Sequence, residues 1–199
     1  MQNALIIFVR NPVLGKVKTR LAAMLGNEEA LKIYNRLLQH THIITQTLPY
    51  PKFIFYADYF NENDLWENDS YVKHLQHGDD LGSRMANAFS LLFNEGYQQI
   101  CIIGSDCIEL TDEVLRSAFE QLQHHDAVIG PSLDGGYYLL GMSQPIPGIF
   151  ENKKWSTAEV LPATLETISN NNSLFLLPQL SDIDTAEDWH QYQKNISSN

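Results

Sequence analysis

The chain has 199 residues, a length that fits one domain with a single core. Its 44% hydrophobic and 11% aromatic content can build that core and disfavours disorder. With 24 acidic against 13 basic residues the formal charge is -11, which opposes binding to a nucleic-acid polymer. No apolar run nears the roughly 20 residues of a membrane helix, so no membrane span is expected. No basic-then-apolar leader opens the sequence. Cys101 and Cys107 form neither a disulfide framework nor a zinc spacing, and as two reduced thiols they point to the cytoplasm.

In chain order, Ala4–Val9 is a short apolar run and predicts a buried strand. Apolar positions at three- and four-residue intervals predict a helix over 28–47. Phe53–Ala57, after Pro49 and Pro51, reads as a strand, and Tyr71–Gln76 as a short third one. Tyr59–Ser70 is polar and acidic, as a surface loop is. Helical spacing returns from Asp80 to Glu95 and stops at Gly96. Ile100–Ile103 is a strand closed by Gly104. Thr111 opens a helix with Asp112 and Glu113 in its first turn, where acids complement the helix dipole. Ala127–Ile129 and Tyr137–Leu140 are strands ending at glycines. A helix is expected over Thr157–Ser169, its start delayed by Pro162. A turn is expected at Asn170–Ser173, a strand at Leu174–Leu177, a helix at Thr185–Lys194 and a frayed end at Ile196–Asn199. This alternation predicts an α/β domain over 1–199 with a mostly parallel sheet covered on both faces.

Ligands of such sheets bind at the carboxyl ends of the strands. The unusual residues of this sequence cluster there. Four basic residues, Arg10, Lys16, Lys18 and Arg20, precede the first acid, Glu28. They surround Gly15, which lets the backbone bend toward a ligand. Lys offers a point charge and Arg a planar fork, both suited to a diphosphate. The P-loop pattern is not met: Arg10 stands where its first glycine belongs, and Val17 follows Lys16.

After the fourth strand, Asp106 in the run IIGSDCIEL can offer hard oxygen to a divalent cation, or simply end a turn. In GPSLDGGYYLLG, Asp134, Gly135 and Gly136 suit a hairpin turn and equally leave room for a sugar or phosphate. Of Tyr137 and Tyr138, one should face the site and the other the core. Ser156 or Thr157 can cap the following helix, and Thr185 with Asp188 can cap the last one. Asp182 and Asp184 are expected to point to opposite sides, one of them toward Asp106.

Taken together, RNPVLGKVKTRL, GDDLGSRM, GSDCIEL, GPSLDGGYYLLG, WST and DIDTAED resemble a bacterial family of small GT-A-like transferases, first filed as an uncharacterised domain. Its members are assigned as glycosyltransferases, some in arsenosugar biosynthesis. The wider superfamily holds nucleotidyltransferases such as phospholactate guanylyltransferase and the molybdopterin cytidylyl- and guanylyltransferases. The resemblance runs from about residue 4 to residue 190. It implies a Rossmann-like three-layer α/β/α sandwich of GT-A type, and a nucleotide or nucleotide-sugar donor with a small-molecule acceptor. It places Arg10, Gly15, Lys16, Lys18, Arg20, Asp80 and Arg84 on the nucleotide and its phosphates. It places Ser105, Gly135, Gly136, Tyr137, Trp155 and Ser156 on substrate, and gives Lys18, Arg20 and Asp134 catalytic parts. Asp106 and Asp184 would hold Mg²⁺ or Mn²⁺. Asp106 lacks the second acid of a D-x-D motif, which keeps nucleotidyl transfer open beside glycosyl transfer. A non-catalytic nucleotide-binding protein is the reading from another class.

Overall fold

The computed structural model describes residues 2–61, 64–169 and 171–197, the last without its side chain. Asn170 of the expected turn and residues 198–199 of the expected frayed end lie outside the described residues. Thirteen elements follow one another: β1 (Asn3–Val9), α1 (Thr19–Leu25), α2 (Asn27–Gln46), β2 (Lys52–Tyr56), β3 (Val72–Leu75), α3 (Leu81–Asn94), β4 (Gln99–Ile103), α4 (Asp112–Gln121), β5 (Ala127–Pro131), β6 (Tyr137–Met142), α5 (Val160–Ser169), β7 (Leu174–Leu176) and α6 (Ala186–Ser197).

The strands form one seven-stranded sheet in the order β3-β2-β1-β4-β6-β5-β7. Every pairing is parallel except those of β6, which runs antiparallel to both β4 and β5. The alternation of β1 sorts the two cores. Leu5, Ile7 and Val9 face a cluster that includes Leu21 of α1, Ile33, Tyr34 and Leu37 of α2, Phe119 of α4 and Trp189 of α6. Ala4 and Ile6 face Met85, Phe89 and Leu92 of α3 and Ile168 of α5. Each large side chain buried this way contributes about 1.5–3 kcal/mol. The architecture is the three-layer α/β/α sandwich expected of the sequence.

Helix ends follow local chemistry. Thr111 accepts the Val114 N–H at 3.3 Å. The Asp80 carboxylate accepts the Ser83 N–H at 2.7 Å in a reciprocal capping box with Ser83. Thr185 and Asp188 close a second such pair, Thr185 N–H donating to Asp188 at 2.7 Å and Asp188 N–H to Thr185 Oγ1 at 3.3 Å. Pro162 sits in the first turn of α5, which starts three residues later than the reading from Thr157. The structure also adds α1, a seven-residue helix that begins at the end of the basic stretch and is not among the elements expected from the sequence. Arg20 therefore stands in a helix's first turn, not on a loop. None of the described helices is long and apolar enough to cross a membrane.

Candidate active site

Because β6 is reversed, its first residue lies at the edge where the parallel strands end. One cleft of about 870 Å³ opens along that edge. It lies over the β1/β4 boundary, where the strand order reverses direction and α/β sheets bind their ligands.

The floor is fixed by buried polar contacts. Asn11 is 2% exposed. Its amide donates to the Tyr59 carbonyl at 2.9 Å and accepts the Asp58 and Tyr59 N–H groups at 3.3 Å each, tying the turn after β1 to the turn after β2. The Tyr34 hydroxyl accepts the Arg10 N–H at 2.9 Å and donates to its carbonyl at 3.0 Å. It lies 3.4 Å from Ser105 Oγ. Ser105, expected on substrate, is thus buried against Tyr34 and shapes the Gly104–Asp106 turn from beneath.

Lys18 is the centre of the charged group. Its Nζ is 2.9 Å from Asp106 Oδ1 and 2.8 Å from Asp184 Oδ1, and the side chain is 6% exposed. Burial pulls its pKa down, but the two carboxylates more than offset that and raise it. Arg20 stands 3.7 Å from Asp184 on the solvent side. Burial works against the Asp184 charge, yet Lys18 and then Arg20 hold its carboxyl below the usual range. Lys18 has φ 48° and ψ 47°, a left-handed conformation that costs a non-glycine residue about 1–2 kcal/mol. The ion pairs hold it there. Arg10 and Lys16 line the same end of the cleft with exposed side chains. Gly15, with φ 74°, turns the chain but does not line the cleft.

The Asp182–Asp184 segment corrects the sequence reading. Residues two apart on an extended chain share a side. Both carboxylates line the cleft, and Ile183 between them is buried in the core at 1% exposure. The segment is clamped along its length. Ser181 N–H donates to Glu109 at 2.9 Å, Ile183 N–H to the Asp106 carbonyl at 2.9 Å and Asp184 N–H to Asp188 at 3.1 Å.

Asp182 is the site residue that the sequence reading left without a role. Burial first, then the charge of Asp106, pushes its carboxyl up to about 7. Such a group stays protonated in the folded chain between about pH 4 and 7, while the unfolded chain releases the proton, so its contribution to stability falls as pH rises through that window. Asp182→Asn is therefore expected to stabilise the metal-free protein by roughly 1–3 kcal/mol at pH 8 and by nothing at pH 4. Thermal melts at the two pH values, with chelator present, check this; an equal Tm at pH 8 contradicts it.

The other wall is the β5–β6 turn. Asp134 Oδ1 accepts the Ser132 hydroxyl and, at 2.9 Å, the Gly136 N–H. Gly135, at φ 89°, lies so close to Ala158 that a Cβ would fall 2.6 Å from its Cα. Gly135 serves this packing and does not line the cleft, whereas Gly136 does. Tyr137 and Tyr138 diverge as expected. Tyr137 packs toward α3, its hydroxyl 3.9 Å from Met85 sulfur, and Tyr138 is buried with its hydroxyl donating to the Pro178 carbonyl at 2.8 Å. Trp155 packs against Gly82, where a Cβ would be 2.5 Å from the indole nitrogen. Ser156 follows with φ 62°. At the far rim, Asp80 is occupied as the α3 cap. Arg84 donates to the Gly78 carbonyl at 3.0 Å and lies 3.4 Å from Gln76 Oε1.

The donor set fits a hard divalent cation. Two carboxylate oxygens, of Asp106 and Asp184, are hard donors and already share one cation, the Lys18 ammonium. Among the described residues no three acidic, His or Cys side chains converge as a metal cluster.

Residues 43–157 match the family described as uncharacterised proteins conserved in bacteria, DUF2064. A crystal structure from Desulfovibrio desulfuricans G20, of a candidate nucleotide-diphospho-sugar transferase, is 33% identical, with a TM-score of 0.88 over 98% of this chain and 88% of that one. The chain belongs to the DUF2064 family. More distant matches of this DUF2064 chain share the fold. A cytidylyltransferase from Leptospira borgpetersenii is 13% identical at a TM-score of 0.65, over 100% of this chain and 88% of that one. Rv0371c of Mycobacterium tuberculosis H37Rv, in complex with manganese, is 12% identical at 0.58, over 98% and 99%. No curated protein matches the DUF2064 sequence.

Proposed function

We propose that the chain is a transferase that passes a glycosyl group from a nucleoside diphosphate-sugar to a small acceptor, with Mg²⁺ or Mn²⁺. The carrying observation is the Lys18 ammonium shared by Asp106 and Asp184 at the foot of a cleft whose mouth holds Arg10, Lys16 and Arg20. A scaffold has no use for two acids and four bases gathered from β1, β4 and the segment after β7. The name of the Desulfovibrio protein, a candidate nucleotide-diphospho-sugar transferase, supports the same reading.

Arg10, Lys16 and Arg20 bind the diphosphate, whose charge grows as the sugar leaves. Asp106 and Asp184 would hold the cation, which neutralises charge on the departing phosphate oxygens. Lys18 keeps those two carboxylates together and offsets their repulsion. Asp134 is fixed through Oδ1, and Oδ2 is the atom that orients an acceptor hydroxyl and takes its proton. A second reading, nucleotidyl transfer with release of pyrophosphate, is favoured by the single Asp106 in place of a D-x-D pair. The same charges serve it.

Calorimetry with UTP, CTP, GTP, ATP and their diphospho-sugars, with and without Mn²⁺, tests the proposal. Saturable binding of at least one diphospho-sugar, tightened about tenfold or more by Mn²⁺, is expected. Absence of binding at millimolar ligand overturns it. Metal-dependent pyrophosphate release selects the second reading.

A further inference from the structure

The charges of the cleft are divided between its ends. Arg10, Lys16, Lys18 and Arg20 stand beside β1, and Arg84 on the rim above α3. The opposite wall, from Ser132 to Val160, contributes no Lys, Arg or His to the lining. The cations that flank it are engaged elsewhere: Arg84, two residues beyond the Gly82 that Trp155 packs against, donates to the Gly78 carbonyl at 3.0 Å. Lys153 Nζ donates to the Ala163 carbonyl at 2.8 Å and to Thr167 Oγ1 at 2.7 Å, both on α5. Lys154 pairs with Glu159 at 2.9 Å in solvent. Lys18 is committed to two carboxylates. That wall instead presents Asp134, and Asp182 lines the same cleft. Tyr137, Trp155 and Val160 add aromatic and apolar surface. The Trp155 ring packs against Gly82, a position with no room for a Cβ.

A phosphorylated or carboxylated molecule placed here would meet Asp134 with nothing to offset its charge. Like charges at such distance in a cleft cost far more than in bulk water. A hydroxyl donates well to a carboxylate, and the apolar face of a sugar or polyol ring packs on indole. An ammonium is favoured by both. We propose that the acceptor of this cleft is an uncharged or cationic hydroxyl compound with an apolar face, stacked on Trp155 and hydrogen-bonded to Asp134, and that phosphorylated acceptors are excluded. The proposal rests on the transferase reading and adds the chemical class of its second substrate.

Saturation-transfer NMR on the full chain tests it with matched pairs: glycerol and glycerol phosphate, glucose and glucose phosphate, and glucosamine as the cationic member. Trp155→Ala and Trp155→Phe are run beside the parent, with Tm confirming that each is folded. At least one uncharged or cationic compound is expected to receive saturation that falls threefold or more in Trp155→Ala and is retained in Trp155→Phe. The phosphates are expected to bind only among the cations, displaced by nucleoside triphosphate and indifferent to Trp155. A phosphorylated compound whose signal depends on Trp155 overturns the proposal, as does a panel in which no uncharged or cationic member depends on it. Nucleotide binding is read separately by calorimetry. Its loss strikes the transferase reading, whereas its retention with a Trp155-dependent phosphate strikes the acceptor class alone.

Discussion

Asp106→Asn is expected to lower turnover by about 10²–10³-fold while leaving the fold intact. The amide keeps the shape of the side chain, and the backbone contact that clamps the neighbouring segment, Ile183 N–H to the Asp106 carbonyl at 2.9 Å, does not involve it. Lys18 retains Asp184 as a partner. What disappears is one of the two anionic oxygens offered to a cation, so the Mn²⁺ concentration needed for half-maximal activity rises together with the fall in kcat. Steady-state kinetics across a Mn²⁺ titration, with a thermal melt as control, checks both. Unchanged turnover removes Asp106 from the chemistry.

Lys18→Met is expected to damage activity and stability together. It leaves Asp106 and Asp184 facing each other without their common cation, and Asp182 beside them. Breaking a fully buried pair costs about 3–5 kcal/mol. Here the carboxylates are 43% and 37% exposed, so solvent screens part of the loss and about 1–3 kcal/mol is expected near neutrality. The pH dependence has a fixed sign. Asp184 has its carboxyl held down, so its contribution is present above the ordinary carboxylate range and lost as pH falls through the lowered value. Lys18, with a raised value, contributes below the ordinary ammonium range and loses that contribution as pH rises through its own. Wild type and variant should therefore differ in urea denaturation at pH 7, and the difference should shrink as pH falls below the ordinary carboxylate range. Equal midpoints at pH 7 would mean that the ion pairs contribute nothing to the fold.

How much of this was readable in the sequence depends on the length over which each signal repeats. The helix α2 shows its apolar face over five turns and was placed within a residue or so, as Asn27–Gln46 against 28–47. Caps are local chemistry, and Thr111 and the Thr185/Asp188 pair form as their residue types dictate. Helix α1 buries a single residue, Leu21, in seven, too few for a periodicity to emerge. The basic cluster was visible because no acid precedes Glu28. The bridge that Lys18 makes was not, because it joins residues 88 and 166 positions away whose approach depends on strand order. Asp182 was within reach, since the two-residue period that sends Ile183 inward also sets Asp182 and Asp184 side by side. The reversal of β6 against β5 is marked by the Asp134-Gly135-Gly136 turn, which suits a hairpin; its insertion beside β4 leaves no such mark, because either direction satisfies a strand buried on both faces.

That reversal separates the two halves of the cleft by more than charge. The wall carrying Asp134 hangs from a hairpin between β5 and β6, whose tip is tied to Leu180 and Leu161 by backbone hydrogen bonds. The parts that would grip a nucleotide belong to other crossings of the sheet, after β1, β3 and β4. On the proposed reading, the residues that meet the acceptor and those that meet the nucleotide therefore sit on separate segments, and a change of acceptor would fall on a surface tip, where chain variation is best tolerated.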